Sequence, residues 1–330
     1  MNSELKNIMR EILLERYGLD INQAKCHFST QNCAFIFPGE PFMIRVSVTP
    51  KKTRKEMLSE LMWLDDLKQF KQTVCEPHVS LLGNLLEEFE IDGKSYRASM
   101  FRTARGTIKT KTDMTPMFFI CCGDLLGAIH RVSTDERIKG FKFMRKAKAE
   151  DFAALKEHVQ DKIPADILKR INTIEQQVAQ LPQEIRHYGL CHGDFHTNNF
   201  FVEENNIWVF DFDGCAYAHY LYDIASFIHG CFLYGYGAGR DLKTVLDEEL
   251  LHYFKIGYTL NMECDAHFWD NLDLFMMYRA ALTYMSLFEI DSIGVIEDIQ
   301  KVKRFYACLV SSDDIMASMT NAMKNMGAIG

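Results

Sequence analysis

None of the ten cysteines in this chain stands in a C-x-x-C pair, and their spacing follows no pattern. The expectation is reduced, mostly buried thiols in a cytosolic, that is cytoplasmic, protein. No segment repeats and none is of low complexity, so there is no sign of a solenoid or array. The apolar core of a signal peptide is also missing: the first residues, MNSELKNIMREILLERYG, form a charged amphipathic stretch. The longest apolar stretch, around 214–239, is interrupted by His219, Asp223 and His229, so neither a membrane span nor a membrane partner is expected. Positive charge is in deficit. The formal charge of −8 and pI of about 5.8 argue against a nucleic-acid partner. Two glycine-rich phosphate loops are absent as well. Gly93-Lys94-Ser95 imitates the end of G-x-x-x-x-G-K-[ST], but Glu88 occupies the first glycine position, and no G-x-G-x-x-G occurs in the N-terminal part.

What remains is a chain of ordinary composition, 48% hydrophobic and 25% charged. Its 330 residues are long for one core, so two lobes are expected. A helix over 3–17 is followed by strand-like segments at 33–37 and 42–48. In FMIRVSV, alternation sets Arg45 on the face opposite Phe42, Ile44, Val46 and Val48. A long helix from about Thr53 to Phe70 carries Met57, Leu61 and Leu64 on one stripe. Strands near 79–82, 85–91 and 95–102, with a turn at Asp92-Gly93, complete a small sheet. Thr115-Pro116 opens a helix as cap and first position. Further helices are expected near 148–160, 165–180, 219–235, 241–259, 266–289, 294–309 and 312–326. The fold class is therefore α+β: a small antiparallel sheet lobe with a helix over 1–103, and a larger, mostly helical lobe over 104–330.

The chemistry concentrates in 191–213, CHGDFHTNNFFVEENNIWVFDFD. His192, Asp194 and Asn199 have the spacing H-x-D-x-x-x-x-N, and Asp211 and Asp213 follow a short apolar run. Phosphoryl transfer needs such a set: a carboxylate near the attacking hydroxyl, then an amide and a carboxylate for magnesium. Phe200–Val202 and Ile207–Phe210 are strand formers, and Asn205-Asn206 suits a two-residue turn. Pairing outward from that turn sets Phe200 opposite Asp211, which brings Asn199 within about 5–8 Å of Asp211 across the hairpin. Both offer the hard oxygen ligands that Mg²⁺ prefers.

These motifs, with VFDFDG, YLYDIASF and CCGDLLGAIHRVS, resemble the aminoglycoside phosphotransferase and choline kinase-like superfamily within the protein kinase-like fold. The resemblance spans about 25–300 and is specific in 190–225. It implies a two-lobed kinase with ATP between the lobes. Asp194 is then the catalytic base or hydroxyl-orienting carboxylate, with His192 as the loop's organiser beside it. Asn199 and Asp211 hold Mg²⁺, and Asp223 is a buried brace. Arginine replaces the usual third-strand lysine at Arg45; its phosphate-facing charge is retained and its expected partner is Glu60, with Glu56 as rival. Asn32, at the end of the polar stretch Ser29-Thr30-Gln31-Asn32, and Phe101 complete the expected ATP-binding residues. Asp213 replaces the glycine of protein kinases and either reaches a second metal or holds the loop. His130 is expected to be a packing residue with its ring hydrogen-bonded.

The expected reaction moves the γ-phosphoryl group of ATP to a hydroxyl of a small molecule: an aminoglycoside, a choline-like or homoserine-like alcohol, or a sugar. His196 and Arg279 are the candidate substrate residues. Phe268, Leu272, Phe275 and Leu282 fit one helix face and are expected in the core. The competing readings are a nucleotide-binding regulatory protein or pseudokinase, suggested by Arg45 and the absent glycine loop, and a kinase of protein Ser/Thr. Monomer and homodimer both stay open.

Overall fold

Strand β6, Lys94–Arg102, is nine residues long and organises the N-terminal sheet by pairing with three others. A computed structural model describes residues 3–28, 32–48, 52–70, 73–107, 113–135, 145–265, 267–291 and 298–326. In it the antiparallel sheet runs β1 (Lys25–Phe28), β2 (Asn32–Ile36), β3 (Phe42–Val48), β6, β4 (Pro77–His78), and β5 (Glu87–Ile91) also pairs with β6. Asp92 and Gly93 close the β5–β6 hairpin with φ of 51° and 71°, the left-handed geometry of a tight two-residue turn. Residues 29–31 of the polar stretch 29–32 expected to cover phosphates lie outside the described residues, as do 294–297 of an expected helix.

The two faces of this sheet differ in what covers them. Helix α1 (Ser3–Tyr17) lays Met9, Leu13 and Tyr17, four residues apart, onto Phe35, Ile44, Val46, Tyr96 and Ala98. The Tyr17 hydroxyl donates to the Ala98 carbonyl at 2.8 Å. Helix α2 (Arg54–Gln69) starts at a capping box in which Thr53 and Glu56 satisfy each other's backbone N–H groups. It buries Met57, Glu60, Leu61, Trp63, Leu64 and Leu67. Alternation sends Arg45 away from Ile44 and Val46 toward Glu60 of α2.

Two expectations fail here. The segment 79–82 is a loop, not a strand. The Ser80 hydroxyl accepts from the backbone N–H groups of Leu82 and Asn84, and such local bonds compete with a ladder. Leu81 and Leu82 are consequently exposed. Conversely, β1 was not foreseen, because Lys-Cys-His-Phe carries no clear alternation.

The chain divides into two compact units. One is built on residues 1–106 together with Trp208–Phe210; the other takes in the remaining described residues from Thr107 onward. The second unit is mostly helical: α3 (Pro116–Thr134), α4 (Lys148–Val159), α5 (Ala165–Ala179) and α6 (Leu221–Leu233). A short α7 (Leu242–Val245) continues through a π-helical stretch, Leu246–Leu250, into α8 (Leu251–Tyr258). Helices α9 (Leu272–Asp291), α10 (Ile299–Val310) and α11 (Ile315–Met326) follow. The expected start of α9 near 266 is late, since Phe268–Asn271 form a 3₁₀ turn first. Of the four residues expected on one buried helix face, Leu272 and Phe275 are buried on α9, Phe268 is buried from the 3₁₀ turn before it, and Leu282 is only half-buried. Helix α3 is long and apolar enough, by length and composition, to cross a membrane, but 61% of its apolar window is buried inside the protein, as in a core helix. Four short strands interrupt the helices: β7 (Tyr188–Cys191) pairs with β10 (Ala216–His219), and β8 (Phe200–Glu203) with β9 (Asn206–Val209). The loops carrying Asp194 and Asp211–Asp213 hang between these strands.

Candidate active site

The β7–β10 pairing, Cys191 opposite Ala216, brings two loops together at one end of a short ribbon. The first loop, His192–Asn199, approaches the second so closely that a Cβ on Gly193 would lie 1.9 Å from the Gly214 carbonyl oxygen, and Gly193 has φ of 85°. Only glycine satisfies both conditions.

Asp223, in the first turn of α6, fixes the first loop from beneath. Its carboxylate accepts from the backbone N–H of His192 at 2.7 Å and of Gly193 at 2.8 Å. His130 Nε2 lies 3.3 Å from the same carboxylate, and His130 Nδ1 is 2.8 Å from the Tyr258 hydroxyl. Both side chains are fully buried. Burial would push the Asp223 carboxyl up, yet the hydrogen bond and charge of His130, His192 and the Gly193 N–H bring it below its ordinary value. Burial also lowers His130, against the hydrogen bond and charge of Asp223, which raise it. The hydrogen-bonded packing role expected of His130 is thus realised.

Asp194 stands on this platform. Its side chain is 37% exposed, unlike the buried His192 behind it. Arg279 Nη2 of α9 donates to Asp194 Oδ1 at 2.6 Å, and His196 Nε2 lies 3.2 Å from Oδ2. Desolvation opposes ionisation of Asp194. The Arg279 charge outweighs it, with the hydrogen bond and charge of His196 and the charge of His192, and holds the carboxyl well below the usual carboxylate range. His192 has no exposed surface. Its Nδ1 accepts from the Asp194 N–H at 3.2 Å and its ring packs on Phe212 at 4.3 Å. It packs within the loop, the place expected of a loop organiser, while Asp194 reaches the surface.

Asn199 is largely buried. Its amide nitrogen donates to the Asp194 carbonyl at 2.9 Å, which orients the remaining amide oxygen. Asp211 is exposed, with φ of 65°, and heads the short turn Phe212–Gly214. Arg145 braces that turn by donating to the carbonyls of Asp213 and Cys215, and Lys148 Nζ lies 3.4 Å from the Gly214 carbonyl. Neither cation was singled out from sequence, because their ligands are carbonyl oxygens about 70 residues away. An amide oxygen with the carboxylates of Asp211 and Asp213 is the hard-oxygen donor set that suits Mg²⁺.

The hairpin turn sits one residue earlier than its asparagines suggest. The β8–β9 turn is Glu204-Asn205, not Asn205-Asn206, with Glu204 at φ of 57°. A two-residue turn there closes Glu203 against Asn206 and Val202 against Ile207, so Phe200 does not pair with Asp211. Strand β9 ends at Val209, and Asp211 lies outside the ladder as the residue capping Phe212–Gly214.

In the other unit, Arg45 and Glu60 form a two-pronged ion pair, Nη1–Oε1 2.8 Å and Nη2–Oε2 3.0 Å, buried at both ends. The rival Glu56 is occupied in the α2 cap. Phe101, buried, lies under the Arg45 guanidinium at 4.9 Å, and Asn32 Oδ1 accepts from the Ser47 hydroxyl at 2.8 Å.

Comparison with known proteins places the chain in a family. Residues 27–263 match the sequence profile of the phosphotransferase enzyme family. The amicoumacin kinase of Bacillus subtilis (strain 168) is 24% identical over 307 residues, covering 89% of this chain and 90% of that protein. Among solved structures, the amicoumacin kinase hAmiN, in complex with AMP-PNP, Ca²⁺ and Ami, superposes with a TM-score of 0.82 at 22% identity over 94% of this chain and 96% of that one. A microcompartment-associated aminopropanol kinase superposes with a TM-score of 0.70 at 17% identity over 96% and 99%. The chain therefore belongs to the phosphotransferase enzyme family, within the aminoglycoside phosphotransferase and choline kinase-like superfamily of kinase fold, and is a phosphotransferase with an alcohol group as acceptor.

Proposed function

We propose that this chain transfers the γ-phosphoryl group of ATP to a hydroxyl of an amine-bearing small molecule in the cytoplasm, with Mg²⁺ as cofactor. The observation that carries the reading is Asp194: an ionised, oriented and solvent-reachable carboxylate on a loop whose backbone is held by a buried one. A protein that only bound nucleotide would have no use for such a group. Asp194 accepts the hydrogen bond of the attacking hydroxyl and sets the oxygen's direction. Held so far below the ordinary range, it is a weak base. It takes the proton late, once the bond to phosphorus is forming and the hydroxyl has become acidic. Asn199, Asp211 and Asp213 would hold the metal, which when bound would supply charge neutralisation on the phosphate oxygens. Arg45, braced by Glu60 and Phe101, serves as the phosphate-facing cation, with Asn32 at the start of the neighbouring strand β2, opposite Ser47. The catalytic contribution is mainly positioning and electrostatics.

Amine-bearing acceptors lead because the relatives named above act on amicoumacin and aminopropanol. The test is ADP release with Mg-ATP across a panel of amicoumacin-type antibiotics, amino alcohols, choline, homoserine, aminoglycosides and sugars. Acceptor-dependent ADP formation, abolished by EDTA and restored by Mg²⁺, is expected with at least one amine-bearing alcohol. Tight nucleotide binding without turnover on any acceptor would instead favour the regulatory alternative.

A further inference from the structure

Asp194 is held twice over, and by neighbouring residues of one helix. Asp223 of α6 fixes the loop backbone, accepting from His192 and Gly193. Tyr222, one residue earlier on α6 and fully buried, accepts from Arg279 Nη1 at 3.0 Å, while Arg279 Nη2 donates to Asp194 Oδ1 at 2.6 Å. The guanidinium is thus clamped at one end by a rigid phenol and grips the carboxylate with the other. Its ring environment is equally confined. The Tyr222 ring meets Tyr278 edge-on at 6.0 Å, and Lys148 Nζ lies 5.3 Å from its centroid. Arg279 itself projects from the middle of α9, a 20-residue helix, so its base does not move independently.

We propose that Arg279 is a positioning residue for the phosphoryl-transfer step, setting the rotation of the Asp194 carboxylate so that a remaining lone pair faces the acceptor hydroxyl; this rests on the kinase reading above. A carboxylate oxygen accepts from about two directions. Arg279 takes one on Oδ1 and His196 one on Oδ2, which fixes the plane and leaves one direction on each oxygen. The tautomer of His196 agrees: its Nδ1 accepts from the Asn198 N–H at 3.2 Å, so Nε2 carries the proton aimed at Asp194. A purely structural arginine would need only the Tyr222 contact to tie α9 to α6. A substrate-binding arginine would not spend its Nη2 on the catalytic carboxylate.

Three substitutions separate these roles: Arg279→Met, Arg279→Lys and Tyr222→Phe, with kcat and both KM values measured on the best acceptor from the panel. Arg279→Met is expected to lower kcat about 100-fold, the scale of an ångström-sized misplacement, with both KM values within about threefold of wild type. Added guanidinium ion should restore part of that loss saturably. Arg279→Lys keeps the charge but not the fork and should fall between. Tyr222→Phe should cost kcat several-fold without a KM change. A kcat within about twofold of wild type in Arg279→Met, or a loss confined to the acceptor KM, would overturn the proposal. If Arg279→Met does not fold, unchanged kcat in both milder variants would overturn it, and reduced kcat in both would support it. A second arm needs no acceptor: thermal melts of Asp194→Asn, Arg279→Met and the double variant. A double variant no less stable than the worse single one supports the coupling, and additive losses refute it. Should wild type turn over no acceptor, the kinase reading falls while the melts still decide the pairing.

Discussion

Each unit of this protein contains one arginine–carboxylate pair near its expected chemistry, and the two pairs are built differently. Arg45–Glu60 is closed. Both side chains are buried, and both carboxylate oxygens are taken by the same guanidinium. Arg279–Asp194 is open. The arginine is mostly covered, but the carboxylate is 37% exposed and divides its oxygens between two donors. The closed pair keeps a cation in a fixed place, and its energy goes into holding that place. The open pair leaves a charged acceptor facing outward, and its energy goes into aim. An arginine–carboxylate pair is therefore sealed in one unit and left reachable by solvent in the other.

Breaking the open pair at its acid should produce the largest effect on turnover. Asp194→Ala is expected to reduce kcat by about 10³-fold or more, within the range for a positioned acid–base group, while leaving nucleotide affinity nearly unchanged. ADP release and titration calorimetry with Mg-ATP check the two halves. Full turnover in this variant would remove Asp194 from the reaction. The closed pair should answer in stability instead. Glu60→Gln leaves a buried guanidinium without its countercharge, at a cost of about 3–5 kcal/mol in urea unfolding. A loss below about 1 kcal/mol would mean that Arg45 re-pairs and that its position is softer than the geometry indicates.

Acid sharpens the contrast further, because the carboxylate beneath the open pair is fully buried. Asp223 is depressed in the folded protein, so its contribution is complete above its unfolded value, about 3.9, and is lost as pH falls toward its lower folded value. Asp223→Asn should be less stable than wild type near neutrality and show a flatter decline between pH 5 and 3. Parallel pH–stability curves would show that the Asp223 charge, as distinct from its shape, contributes nothing to holding the His192–Gly193 backbone.

Much of this was legible in sequence, for a local reason. The Asp194 loop and the Asp211–Asp213 segment follow from a short motif and the face of Arg45 from the period of one strand, while Asp223 as a brace and Glu60 as the partner of Arg45 came from the family resemblance. The turn at Glu204-Asn205 was misread because asparagine's tolerance of positive φ favoured the next dipeptide, while the chain places Glu204 there. The loop at 79–82 was misread because Ser80 satisfies backbone groups that a strand would have used. Arg279 was expected as a substrate residue, not as a partner of Asp194. Its contact with Asp194 spans 85 positions and is set by how α9 packs on α6, which no local pattern encodes. The braces from Arg145 and Lys148 were invisible for the same reason.

The smallest effect tests how finely the open pair is aimed. Gly230 lies on α6 where a Cβ would come 2.8 Å from the His196 Cβ, so the helix is pared back to seat that ring. Gly230→Ala must push His196 away from Asp194 Oδ2 and free one side of the carboxylate, while its Arg279 contact remains. An expected loss of about tenfold in kcat follows from a partial loss of orientation, smaller than that from removing Arg279. Stability should change little, because alanine in a helix interior gains about 1 kcal/mol over glycine, offsetting part of the crowding. Unchanged kcat with a raised melting temperature would show that His196 is dispensable and that Arg279 alone sets the carboxylate. A loss equal to that of Arg279→Met would show that the two donors act as one unit.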